Sequence, residues 1–61
     1  MYRDEVVKLM SDNIDNMNRQ GAAQSGLGSN EIEEFIAAGR AQLDFVNGML
    51  YDLLKNEGVI G

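Results

Sequence analysis

The chain contains no cysteine, no histidine, no proline and no tryptophan. Without cysteine there is no disulfide framework and no cue to redox compartment, and without cysteine and histidine an ordinary zinc site has no ligands. The same two absences remove the base and the thiol of Ser-His and Cys-His nucleophilic machinery. The lack of proline leaves no fixed helix breaker anywhere in the chain. Cations are scarce too: five, namely Arg3, Lys8, Arg19, Arg40 and Lys55, against ten acids, for a formal net charge of -5. They are scattered along the chain, so the basic stripe of a nucleic-acid footprint is missing and no direct nucleic-acid contact is expected. No apolar run approaches the roughly 20 residues that span a bilayer. The start, Met-Tyr-Arg-Asp-Glu-Val-Val, does not lead from a basic region into an apolar one. A soluble, non-secreted protein without a membrane partner is expected, cytoplasmic or, if viral, in the host cytoplasm.

What is present points to helices. Ala, Leu, Met, Glu and Gln are common outside one glycine-rich stretch, and all favour helix. Asp4 and Glu5 suit the positive end of a first helix over about residues 3–19, with Arg19 near its negative end and Gly21 as its stop. Val7, Met10, Ile14 and Met17 give that helix an apolar stripe widened by Val6 and Leu9, and Asp4, Lys8, Ser11, Asp12, Asp15 and Asn18 form its solvent face. Residues 20–29, with Gly21, Gly26 and Gly28, keep no period and read as a loop. A second helix over about residues 30–56 opens at Ser29 or Asn30, where Asn30 as N-cap would put Glu33 in a capping-box position, and stops at Gly58. A short apolar tail, 57–61, follows.

The second helix carries the most specific pattern. Ile32, Ile36, Gly39, Leu43, Val46, Leu50 and Leu53 recur in an unbroken 4-3-4-3-4-3 rhythm, the seam of a helix that packs on another helix. Phe35, Ala38, Phe45 and Met49 make a second apolar row beside it. Two adjoining strips call for two neighbours, the chain's own first helix and a helix of a second copy. The expected fold is therefore all-α: a two-helix hairpin in a single domain, pairing into a homodimeric four-helix bundle. A domain of this size buries only about 60% of its unfolded surface, which also favours a partner copy. Ile32, Phe35, Ile36, Gly39, Leu43, Phe45, Val46, Met49, Leu50 and Leu53 are the candidate interface residues. Gly39 is expected where helices approach most closely.

Catalytic and ligand-binding patterns are otherwise thin. Asp12 with Asp15, and Glu31 with Glu34, are pairs three residues apart on helix faces and read as solvated charge. The run Asp12 to Asn16 lacks the liganding side chain and glycine of a calcium loop, and Gly21 to Gly28 lacks the Lys and Ser/Thr of a phosphate loop. Neither a metal nor another cofactor is expected. Ala41-Gln42-Leu43-Asp44, on the second helix of a hairpin, resembles part of the Ser-Gln-Glu-Leu-Asp signature of small aspartyl-phosphate phosphatases of the sporulation pathway. Arg40 and Ala41 stand where that signature has Ser and Gln, so the resemblance implies a role for Asp44 alone. The expected function is non-enzymatic: a small acidic regulator or adaptor that self-associates and binds another protein. The rival readings are an assembly subunit, such as a viral scaffold or tail component, and a phage-type inhibitor of a host protein.

Overall fold

In the computed structural model, which describes residues 2–60, two helices make up almost the whole chain: α1 (Arg3–Gln24) and α2 (Ser29–Asn56). They form a hairpin. Side-chain pairs link Arg3 to Asp52, Asp15 to Arg40 and Arg19 to Glu33, so the partner's number falls as the first rises, which is the order of antiparallel helices. The second helix has 28 residues. At about 1.5 Å per residue such a helix is about 42 Å long. The long dimension of the hairpin is the same, 42 Å.

The first helix runs past its expected end at Arg19 to Gln24. Gly21 lies inside it, and Ala22 and Ala23, the best helix-forming residue type, carry the helix onward. The stop is Gly26, whose φ of 89° suits a residue without Cβ. The Leu27 N–H donates to Ala22 O at 3.2 Å and the Gly26 N–H to Ala23 O at 3.1 Å. These are the paired bonds of a Schellman ending. At the end of α2 the same device recurs, as expected, around Gly58, whose φ is 76°. There the Val59 N–H donates to Leu54 O at 2.9 Å and the Gly58 N–H to Lys55 O at 3.1 Å. The loop is thus only Ser25 to Gly28, as short as an ordinary helical hairpin allows. At 22 residues, α1 also covers more of α2 than the shorter expected helix could.

The capping box at Asn30 does not form. Ser29 is already helical, Gly28 is the N-cap without a side-chain bond, and the Glu33 carboxylate accepts two bonds from Arg19 instead. A bidentate guanidinium is the stronger donor. In the apolar tail Val59 is exposed and Ile60 half-buried, while Gly61, like Met1, lies outside the described residues.

The apolar core is small: Val7 from α1, with Ile32, Ile36 and Tyr51 from α2. Ser11, Asp15 and Asn47 are buried among them. Most of the expected stripe of α1 stands to one side of this contact, with Met10 and Ile14 half-buried and Met17 exposed. Gly39 is not at a close approach within the hairpin, since no atom lies within 4 Å of where its Cβ would be. The crowded glycine is Gly48, where a Cβ would meet the end of the Arg3 side chain, Nη2, at 2.6 Å.

The revised ending of α1 is open to a simple check. A Cβ on Gly21 meets nothing within 4 Å, so Gly21→Ala should stabilise the hairpin by about 0.5–1 kcal/mol. Gly26→Ala, forced into a left-handed conformation, should destabilise it by a similar amount or more. Thermal melts followed by circular dichroism would rank the two variants in the reverse order if Gly21 were the stop.

Candidate interaction surface

The contact between the helices follows a four-residue row rather than the apolar rhythm. Arg3, Val7, Ser11, Asp15 and Arg19 succeed one another at i+4 along α1 and lie on one face. Three of them bond to α2 through arginine-carboxylate pairs. At the open end Arg3 Nε and Nη2 donate to the two oxygens of Asp52 at 2.9 and 3.2 Å. Near the loop Arg19 Nε and Nη2 donate to Glu33 at 2.9 and 3.2 Å. Between them Arg40 Nη1 reaches Asp15 at 2.6 Å and Asp12 at 2.9 Å, while its Nε donates to Asp44 at 3.0 Å. All three arginines are used in this way, which accounts for their scatter along the sequence.

Only the middle of this row is dry. The Asp15 side chain is 5% exposed and Arg40's 30%, whereas those of Arg3, Asp52, Arg19 and Glu33 range from 41% to 61%. The outer pairs are therefore well screened, and their worth lies in geometry more than in energy. Beside Arg40, Asn47 Nδ2 donates to Ser11 Oγ at 2.9 Å. A hydrogen bond from the Ser11 hydroxyl, with Arg40 beside it, holds the Asp44 carboxyl below its ordinary range. Lys8 and then Arg40 do the same for Asp12, Arg19 for Glu33 and Arg3 for Asp52. Reciprocally, Asp15 and Asp12 raise the Arg40 pKa.

Ser11 and Asp15, expected on a solvated face, are thus buried because α2 offers each a partner. Asp44, singled out by the phosphatase resemblance, is half-buried and engaged by Ser11 and Arg40. Among the described residues no group of three or more acidic side chains is placed to hold a metal ion. The acids that converge here do so on a guanidinium. No helix among the described residues is long and apolar enough to cross a membrane.

With the contact row occupied by polar groups, most of the expected seam is left outside. Of the candidate interface residues, Ile32 and Ile36 are buried by α1 and Leu43 is half-buried. Phe35, Phe45, Val46, Met49, Leu50 and Leu53 are exposed by 41% to 69%, and Gly39 is exposed as well. Their placement is systematic. The residue just before a contact position is generally apolar: Val6, Met10 and Ile14 precede Val7, Ser11 and Asp15, and Phe35, Val46 and Leu50 precede Ile36, Asn47 and Tyr51. One step back turns about 100° around a helix. Because the helices are antiparallel, that same turn brings both stripes to one side of the hairpin. One step ahead of Val7, Ser11, Asp15 and Tyr51 stand the polar residues Lys8, Asp12, Asn16 and Asp52, on the other side. The apolar side holds an open groove of about 270 Å³, lined by Phe35, Ile36, Gly39, Leu43 and Val46, with Asp15, Asn18 and Gln42 at its edges.

Compared with protein-family models, with curated proteins and with solved structures, the chain has no match.

Two measurements probe the polar row. Ser11→Ala leaves the buried Asn47 amide without its acceptor and should cost about 1–3 kcal/mol in denaturant unfolding; an unchanged midpoint would mean the bond is not made. The pH response has a definite sign. The carboxyls of Asp12, Asp44, Asp52 and Glu33 are lowered in the folded chain. Their stabilisation is complete above the unfolded values and lost as pH falls through the folded ones, so melts should hold steady from about pH 7 to about 5 and drop below about 4. Arg40→Met leaves the buried Asp15 without its partner and should lower the unfolding midpoint at neutral pH; an unchanged midpoint would mean that the guanidinium is not engaged.

Proposed function

We propose that this chain works by binding rather than by turnover, as a regulator or adaptor whose unit is a pair of hairpins joined through their apolar sides into a four-helix bundle. The observation that carries the reading is the one-sided apolar face contributed by both helices. A contiguous patch of more than a few hundred Å² is uncommon on a soluble monomer. Here the hairpin measures 42 × 18 × 15 Å. Its broad side therefore offers on the order of 750 Å², close to the roughly 800 Å² per partner of a standard interface.

Charge supports a second copy as the occupant. The apolar side carries Val6, Met10, Ile14, Phe35, Val46 and Leu50; of the acids beside it, Asp15 is paired with Arg40 and Glu31 stands at the loop end of α2, away from its centre. The ion-paired acids and bases sit within the hairpin or on its far side. Pairing also answers the shortage of core, since four buried apolar side chains are few for a helical domain. The polar side then remains free for the regulated partner.

Size-exclusion chromatography with light scattering at micromolar concentration should return twice the 6.7 kDa chain mass. The double variant Val46→Glu/Leu50→Glu, at exposed positions, should shift the protein to monomer. A wild-type monomer that stays helical and melts cooperatively would contradict the reading.

A further inference from the structure

Building on the dimer reading above, we infer that the two copies pair with their α2 helices antiparallel, about a two-fold axis at the midpoint of α2, so that each copy's Gly39 hollow receives Val46 of the other. A two-fold contact must be self-complementary: if one residue meets another, the second must meet the first. Two antiparallel α2 helices overlap over their whole length, and so bury the most of their apolar rows, only when the axis passes through the midpoint of α2. The helix runs Ser29–Asn56, and its midpoint falls between Gln42 and Leu43. Reflected about that point, Gly39 falls opposite Val46 and Phe35 opposite Leu50, all four exposed. The smallest residue of the row thus meets a projecting one, and on either side of it Phe35 meets Leu50.

The hollow exists. A Cβ built on Gly39 has nothing within 4 Å, and the groove around it is open on the apolar side between Phe35, Leu43 and Val46. Gly39 is exposed in mid-helix, where glycine is disfavoured by about 1 kcal/mol relative to alanine. Nothing within the hairpin explains that choice, whereas a side chain seated there from outside does. An axis along the helices, placing both loops at one end, would instead set Gly39 level with α1 of the other copy and leave the matching within α2 unused.

The absence of cysteine makes the test direct. Asn56→Cys, at an exposed position in the last turn of α2, takes a nitroxide label, and pulsed electron resonance reads the distance between copies in a sample whose dimeric mass is confirmed by light scattering. The antiparallel arrangement places the two backbone sites about 40 Å apart. Loops at one end would place them within about 10–20 Å. A short distance in a dimer overturns the arrangement but not the pairing, while a monomeric mass overturns both. Gly39→Leu, at a position whose Cβ meets nothing within 4 Å, fills the hollow and should raise the dimer dissociation constant at least tenfold with helicity kept. Val46→Ala added to Gly39→Leu should recover part of that loss. If Gly39→Leu dimerises as the wild type does, the hollow does not receive a side chain and the inference fails.

Discussion

The hairpin depends on one guanidinium. Arg40 projects from the middle of α2 between Asp12, Asp15 and Asp44, and Asp15 is buried against it. Such a group adds little net stability over an apolar replacement that fits, because desolvation offsets much of the attraction, but removing it strands a buried carboxylate. Its contribution is therefore positional. A shift of α2 by one turn would carry Arg40 away from Asp15 and, together with it, separate Asn47 from Ser11, Arg3 from Asp52 and Arg19 from Glu33. All four contacts share one register, and two side-chain clamps at the hairpin's ends hold it where solvent weakens them individually.

Because polar groups occupy the line between the helices, the greasy residues must stand elsewhere. In most two-helix units the apolar stripe and the interhelical contact coincide, and the outer surface is left polar. Here they are a quarter turn apart. The chain holds its own helices together with charge, hydrogen bonds and a core of four apolar side chains, and leaves Phe35, Val46, Leu50 and their neighbours facing outward. That division of labour lets the outer face be altered by substitutions that leave the inner row untouched.

Helix type, the end of α2 at Gly58 and the excess of apolar surface over what α1 can cover all follow from period and composition. The end of α1 is harder to read, because both Gly21 and Gly26 look like stops. The distinguishing mark is the residue after the glycine: Leu27 follows Gly26 as Val59 follows Gly58, and an apolar residue there is part of the Schellman pattern. The contact row of α1 escapes a search for periodicity among apolar residues alone. Arg3, Ser11, Asp15 and Arg19 share a four-residue spacing, and α2 carries Glu33, Arg40, Asn47 and Asp52 in the reverse order needed to meet them. That complementarity is a sequence signal, though one visible only when the two helices are set antiparallel. A partner copy leaves no such mark in a single chain beyond the apolar row that continues on both sides of the α2 midpoint.

If charge holds the helices within a chain and apolar surface holds the chains to each other, salt must separate the two. The most direct measurement is the dimer dissociation constant by sedimentation equilibrium between about 0.05 and 1 M sodium chloride. Screening shortens the reach of exposed charges from roughly 14 to roughly 3 Å over that range but does not weaken apolar contact. The dissociation constant should stay level or fall as salt rises. An increase of tenfold or more would show that ion pairs bridge the copies, and would contradict the division on which the account rests.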